Sequence, residues 1–440
     1  MMTATEQLIS KLQLSIEDCI EKEKWLKLAS VALIDYLGCL YSGLSNPLNQ
    51  KKLSSFLDGD RSSLFTQSGS IQALVYGYAA HYNDLDDVQA YFRGHPSSVI
   101  YSALLAVIDE ESRDDVLLAY IQGVELAGRL GKQLQPQHID QGWHSTATIG
   151  TLAAAAAIAV LKKLDSTTFA HLLSLASSQA SGFLYQEGTD AKPLQAGFAA
   201  RNAVLAYQLA ESGFTAYQAI FSSEKGWSQT LSSSSLSQAD LLDHWLQPAQ
   251  IETPGLWFKI YPFCSAANAG FDLAQTAYRQ GITSADLSEI HIHFSADGDR
   301  ALTHQQPKTK LEGKFSIEYL LWLALSEGRV KTADFTEEAI PAAFLAFSKK
   351  IQRHHDLKAS QTERPARLRL IAKNGHIIFN QIQRQAKGSP DNPYDLEELR
   401  LKFERLTQGQ EKIVYQEVMG AANQQMKSIL EKFRKGTEWK

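Results

Sequence analysis

Four basic residues share one local context. His95 stands directly before Pro96-Ser97-Ser98 and an apolar run over 99–108, and His144 before Ser145-Thr146 and an alanine-rich stretch. Lys192 precedes Pro193, a residue suited to the first helical turn, with the run 194–209 behind it. Lys259 lies a few residues ahead of Pro262 and of a helical pattern beginning near Ser265. A helix start offers unpaired N–H groups and a partial positive charge, so it attracts a carboxylate or phosphate. An imidazole or ammonium placed there adds full charge and a proton donor. Four such ends facing one cavity would suit a di- or tricarboxylate. Spacing alone does not bring them together, and taken singly each reads as a solvated cap residue.

A second feature is His81-Tyr-Asn-Asp84-Leu-Asp86-Asp87, followed eight residues later by His95. Such an acidic cluster suits a divalent cation, acid–base work or the capping of a turn. No phosphate-cradling glycine loop accompanies it, so the metal reading is set aside in favour of proton chemistry with His95. An imidazole held by a carboxylate keeps one tautomer and transfers protons near neutral pH. Other residues carry less. His291 and His293 alternate on a predicted strand and read as solvent-exposed, and His354-His355 reads as a surface loop. Cys39 reads as a buried small hydrophobe, while Cys264, close to Lys259, is the only thiol in a site context. There is no G-x-S-x-G elbow, Rossmann fingerprint or Walker loop, which removes support for serine nucleophile, dinucleotide and ATP chemistry.

The elements that must position these groups fall into two patterns. Up to about residue 250 apolar residues recur at helical spacing, as in Trp25, Leu26, Ala29, Leu33, Tyr36 and Leu37. From Leu287 the character changes: Ile290, Ile292 and Phe294 alternate as in a half-buried strand, and 366–372 and 376–382 flank Asn374-Gly375 as a hairpin. The prediction is a mostly α chain: a large all-helical domain from 1–264 and 394–440, interrupted by a smaller α+β domain over 265–393. The chain has 440 residues, 44% of them hydrophobic and 21% charged, and a formal charge of −5. That excludes a disordered chain and argues against a nucleic-acid or anionic-membrane partner. Three scattered cysteines give neither a disulfide framework nor a metal-finger spacing. The N-terminus has no signal-peptide pattern, and the most membrane-like stretch, 149–161, is too short to span ~30 Å of hydrocarbon. A soluble, cytoplasmic protein is expected.

Taken together these motifs resemble the MmgE/PrpD family of 2-methylcitrate dehydratases, cis-aconitate decarboxylases and iminodisuccinate epimerases. The likeness runs from His81–Asp87 and Gly94-His95-Pro96-Ser97 through Gly142-Trp143-His144, then Lys192-Pro193-Leu194-Gln195-Ala196-Gly197 and Lys259-Ile260-Tyr261-Pro262-Phe263-Cys264 to Lys314-Phe315-Ser316. The resemblance implies a helical domain with an α+β lid, a homodimer, and a site in the cleft between the domains that works without metal or organic cofactor. It places Asp84, His95, His144, Lys192 and Lys259 in the site; the expected roles are catalysis for Asp84, His95 and His144, with His95 oriented by Asp84, and substrate contact for Lys192, Lys259 and, from its own context beside Lys259, Cys264.

Two departures bear on specificity. Val88 falls where decarboxylase-like members carry a threonine, and Cys264 where they carry a histidine; Asn268 replaces a further histidine. They argue against cis-aconitate decarboxylation. The expected activity is a lyase of the 2-methylcitrate dehydratase type. The alternatives are an amino-dicarboxylate epimerase, a decarboxylase, or a member that binds carboxylates without turning them over.

Overall fold

A computed structural model describes residues 3–436 except 15, 17–18, 58–63, 65, 222–224, 233–235, 361, 410–411 and 421–422. The first half of the chain is a pile of helices: α1 (Ala4–Leu12), α2 (Lys22–Ser45), α3 (Pro47–Phe56), α4 (Gly69–Tyr82), α5 (Pro96–Leu105), α6 (Arg113–Leu134), α7 (Gln137–Asp140), α8 (Ser145–Leu161), α9 (Ser166–Ser177), α10 (Ala191–Glu211), α11 (Trp227–Ser232) and α12 (Gln238–Leu242). The alanine-rich α8 runs through the middle, buried on nearly every side between α5, α6, α9 and α10. Small side chains all round a helix let neighbours pack closely on all its faces. Capping is supplied locally: Ser112 and Asp115 close a reciprocal capping box at the start of α6.

Among the described residues one helix, α2, is long and apolar enough to cross a membrane by length and composition, and 83% of its apolar window is buried inside the protein. That corrects the expectation that 149–161 is the most membrane-like segment. In α2 the apolar residues serve as the core of the pile, where Ala29, Leu33, Tyr36 and Leu37 are fully buried.

A smaller body follows, with its own core of Phe271, Ile290, Ile292, Phe294, Leu320 and Leu368 among others. Helices α13 (Asn268–Arg279), α14 (Ile317–Glu327) and α15 (Ala342–Ser348) accompany a four-stranded sheet. Its strands are β3 (Leu287–Ser295), β4 (Ile351–Leu357), β5 (Ala366–Ala372) and β6 (Ile377–Gln383), in the order β4-β3-β5-β6. Strand β4 runs parallel to β3; the other pairs are antiparallel. The β5–β6 hairpin turns at Gly375 with φ +82°.

Two histidine expectations need correction. His291 and His293 do not stand free in solvent: their side chains are 15% and 12% exposed. His291 Nδ1 lies 3.0 Å from Nε2 of His354, and His293 Nδ1 is 2.9 Å from Asp356. His354 and His355 belong to strand β4 rather than to a loop, because pairing with β3 places His354 against His293.

The chain then returns to the helical core through α16 (Leu396–Leu406), α17 (Lys412–Met419) and α18 (Met426–Gly436), which contribute Phe403, Val414, Met426 and Ile429. Lys402 of α16 reaches Asp35 at 2.5 Å and the carbonyl of Leu85 at 2.8 Å. A lysine from the end of the chain thus braces the acidic loop that follows α4.

Candidate active site

The acidic loop begins where α4 ends. Helices α4 and α10 approach so closely that a Cβ at Gly77 would lie 2.7 Å from the Cα of Gly197. Only glycine permits that approach, and it sets the end of α4, with His81, beside the first turn of α10, with Lys192. Beyond Tyr82 the backbone turns through Asp84, whose φ of +55° is rare for a residue with a side chain. Strand β1 (Val88–Gln89) then pairs with β2 (Leu256–Trp257), Val88 opposite Trp257. That pairing carries Lys259, two residues past β2, back to the loop.

The result is a buried ladder of charge. Lys192 Nζ donates to Asp84 Oδ1 at 2.7 Å and lies 2.9 Å from Nε2 of His81. Lys259 Nζ is 3.1 Å from the other carboxylate oxygen of Asp84. His81 Nδ1 donates to Asp86 at 2.9 Å, and Ser98 Oγ donates to the same carboxylate at 2.5 Å. Burial opposes the charge of Asp84, but Lys192 and Lys259 outweigh it and hold its carboxyl well below the usual range. Burial likewise opposes the charge of Asp86, and the His81 and His95 imidazoles facing it keep it low. Lys192 is pushed up: burial favours the neutral amine, but Asp84 wins. His81 is pulled down to about 3 by burial, against the raising influence of Asp86.

The two expected catalytic histidines occupy this cavity as N-caps, His95 of α5 and His144 of α8. His95 is held differently from expectation. Its Nδ1 lies 3.2 Å from Asp86, while its Nε2 is 4.0 Å from Asp84. Asp84 is engaged by two ammonium groups, and Asp86 is the carboxylate nearest the His95 ring, although Nδ1 makes no hydrogen bond of good geometry to it. Its ring packs against His81 with centroids 4.2 Å apart, and burial lowers its pKa.

The tautomer of His144 follows from its partners. Gln195 Nε2 donates to the Phe183 carbonyl at 3.0 Å, which turns the amide oxygen toward His144 Nδ1 at 2.9 Å. Nδ1 therefore carries the proton and Nε2 is the basic nitrogen. Burial, seconded by Lys192, lowers the pKa of His144 to about 3, so the ring is neutral.

A cavity of about 670 Å³ is lined by Asp84, His95, His144, Lys192, Lys259 and Cys264, all six expected residues. One detail departs from the helix-start reading, since Lys192 lies inside the first turn of α10; Lys259 precedes the short 3₁₀ turn Ser265–Ala267, which leads directly into α13. Burial raises the Cys264 thiol to about 11, which leaves it protonated and unsuited to nucleophilic attack at neutral pH. Val88 is a further wall residue. Asp87 takes no part: it accepts from Ser97 Oγ at 2.6 Å, behind the cavity, and burial raises it to about 7.

Several participants were missed in the sequence reading. His81 and Asp86 stood inside the motif, and the five-residue spacing that lets them bond across the end of α4 was the available signal. Gln195, Arg93, Glu187 and Arg364 line or support the cavity without any sequence pattern to mark them. Lys314, buried behind the wall, donates to the Tyr82 carbonyl at 3.3 Å, and burial lowers it to about 8.

His81, Asp84, Asp86 and His95 present ligand atoms within 4.8 Å of one another. The ammonium of Lys192 already bonds two of the four, so the same groups are arranged as an ion-paired network.

Residues 14–239 match the MmgE/PrpD N-terminal domain and residues 261–432 the C-terminal domain. The chain belongs to the MmgE/PrpD family. A cis-aconitate decarboxylase of Aspergillus terreus is 25% identical over 357 residues, covering 73% of this chain and 70% of that protein. The Mus musculus cis-aconitate decarboxylase is 26% identical over 349 residues, 75% of this chain and 70% of the relative. The Homo sapiens enzyme is 31% identical over a shorter 162 residues, 35% and 34% of the two chains. In this chain Lys192 and Lys259 both pair with Asp84, and Val88 and Cys264 stand in the cavity wall.

Proposed function

We propose that this MmgE/PrpD protein is a cofactor-independent lyase for a small di- or tricarboxylate, most simply a dehydratase, working by proton transfer at the carbon beside a carboxylate. The observation that carries this reading is the convergence of two ammonium groups, Lys192 and Lys259, on Asp84 beside two buried imidazoles. An incoming substrate carboxylate shares those ammonium groups with Asp84. Removing a proton from the adjacent carbon places extra negative charge on that carboxylate, and the lysines stabilise it in a site sheltered from water. His95, beside Asp86, takes the C–H proton and, as the imidazolium, returns it to the departing hydroxyl; His144, neutral with a basic Nε2, accepts a hydrogen bond from the substrate. In dehydration the C–H electron pair becomes the new double bond, the C–O bond breaks, and hydroxide leaves as water with the donated proton. The smaller body acts as a lid, and the enzyme works as a cytoplasmic homodimer.

The names of the relatives favour a second reading, decarboxylation. There the C–C bond to CO₂ breaks, the lysines stabilise the residual charge, and one histidine reprotonates the carbon. The family resemblance puts hydroxyl and imidazole groups of decarboxylase-like members at Val88 and Cys264, and neither side chain here can replace them in hydrogen bonding. That weighs toward dehydration. Incubating the purified protein with citrate, 2-methylcitrate, cis-aconitate and iminodisuccinate, followed by NMR and ultraviolet absorbance, separates the readings. Water loss from a hydroxy acid is expected; CO₂ release from cis-aconitate would install the second reading, inversion of iminodisuccinate would make it an epimerase, and no turnover of any would sink the lyase.

A further inference from the structure

The cavity has a second cationic group away from the ladder. Arg93 and Arg364 both line it, and both are half-buried. Arg364 donates from Nη1 to Ser265 Oγ at 2.8 Å and lies 5.5 Å from the centre of the Trp257 ring. Arg93 is held with φ +51°, its N–H donating to the Gln89 carbonyl at 2.8 Å, an unusual backbone setting that fixes its direction. Among the described residues no carboxylate lies within 4.0 Å of either guanidinium. The neighbouring acids are otherwise engaged or exposed: Asp140 pairs with Arg300, Glu363 with Arg384, and Asp297 is exposed. Burial lowers the pKa of both arginines; for Arg93 the exposed Asp297 opposes this from a distance and Arg300 adds to it, and Arg364 is lowered further by Arg93. Guanidinium groups withdrawn from water without a carboxylate are costly, and they are the donors best shaped for one.

We propose that Arg93 and Arg364 form a second anion subsite, which takes the distal carboxylate of a substrate whose reacting carboxylate lies at Lys192 and Lys259. This rests on the carboxylate-lyase reading above and assigns the second acid group of that substrate to two residues of the cavity wall. The volume agrees, since about 670 Å³ falls within the range of cavities that hold drug-sized ligands and exceeds the needs of one carboxylate. Arg93 comes from the helical body and Arg364 from the connection between β4 and β5, so one distal carboxylate would tie the two bodies together.

The test measures the binding gained from a second carboxylate. Calorimetry compares glutarate, adipate and tricarballylate with butyrate and hexanoate on the full-length protein. In the wild type the second acid group should tighten binding about 10- to 100-fold, the worth of one charge-assisted contact. Arg364→Met and Arg93→Met should each erase most of that gain and leave monocarboxylate binding unchanged, while Arg364→Lys keeps part of it. Melting temperatures confirm folding, and because the two arginines sit on different bodies, one variant carries the test if the other unfolds. A gain that survives both methionine variants overturns the subsite. Monocarboxylate binding that needs Lys192, with no gain from a second acid group in the wild type, overturns the subsite alone and leaves the lyase reading standing. If no acid binds the wild type, the lyase reading falls and the subsite with it.

Discussion

Lys192 Nζ sits 2.9 Å from Nε2 of His81, and that contact fixes the protonation of both residues. An ammonium is a donor only, so Nε2 must be unprotonated and the proton of His81 must lie on Nδ1, facing Asp86. The imidazole is therefore a neutral relay between the Lys192 ammonium and the Asp86 carboxylate, locked in place before any ligand arrives. Preorganisation of this kind lets the lysines meet developing charge without rearranging.

The contact depends on how closely α4 and α10 approach. Gly77→Ala places a methyl group 2.7 Å from the Gly197 Cα, where backbone must move to admit it. Overpacking costs about 1–3 kcal/mol, and the better helix propensity of alanine returns only about 0.5–1. The variant should melt at a lower temperature than the wild type and lose turnover as the helix ends part. An unchanged melting temperature would show that the helices can separate at no cost.

Much of this was legible before the structure. Alternation at Ile290, Ile292 and Phe294 gave a strand, Asn374-Gly375 gave a hairpin, and the residues before Pro96 and Ser145 are helix caps, because each signal is local. Convergence was not local. Lys259 reaches Asp84 only through the pairing of β1 with β2, two short strands separated by well over a hundred residues. Spacing likewise could not show that two lysines would engage Asp84 and that Asp86 would lie nearer the His95 ring than Asp84 does. Arg364 carried no pattern at all, since a connection between strands follows no periodicity.

The neutral His144 makes stability depend on pH in a stated direction. Its pKa is about 3 in the folded protein against 6.5 for the free side chain, with burial as the main cause. Between those values the unfolded chain binds a proton that the folded one refuses, so this residue costs stability as pH falls below about 6.5. His144→Gln removes that term. As pH drops from 7 to 5, the variant should gain on the wild type by up to about 1.4 kcal/mol per pH unit, read from denaturant midpoints at each pH. A difference independent of pH would mean that His144 titrates in the folded protein as it does in the unfolded chain.

Chelation should leave the enzyme untouched. A divalent ion at His81, Asp84, Asp86 and His95 would have to displace the Lys192 ammonium from Asp84 and sit near that of Lys259. At about 4 Å each like-charge pair costs roughly 4 kcal/mol per unit charge at an effective dielectric near 20. Dialysis against EDTA should not change turnover of whichever carboxylate the screen identifies. Activity lost to EDTA and restored by Mg²⁺ or Fe²⁺ would overturn the ion-paired site.

The division of labour between His95 and Lys192 is the most direct test of the chemistry. His95 lies 3.2 Å from Asp86 and lines the cavity, so His95→Gln keeps a polar side chain of similar reach while removing the titrating ring. Turnover should fall by roughly 10²–10⁴-fold with substrate affinity largely kept, because the proton step is lost and the ammonium pair remains. Lys192→Met keeps the aliphatic stem and removes the charge that bonds Asp84 at 2.7 Å. It should weaken both binding and turnover, by about 1.5–3 kcal/mol in affinity for one charge-assisted contact. It also leaves Asp84 with Lys259 as its remaining ammonium partner, so circular dichroism and melting temperature must accompany the kinetics. A His95 variant that binds without turning over, beside a Lys192 variant that binds poorly, fits the assignment. Wild-type turnover in both would remove the two residues from the reaction, and equal loss of affinity in both would make His95 a binding group and leave His144 as the residue that moves the proton.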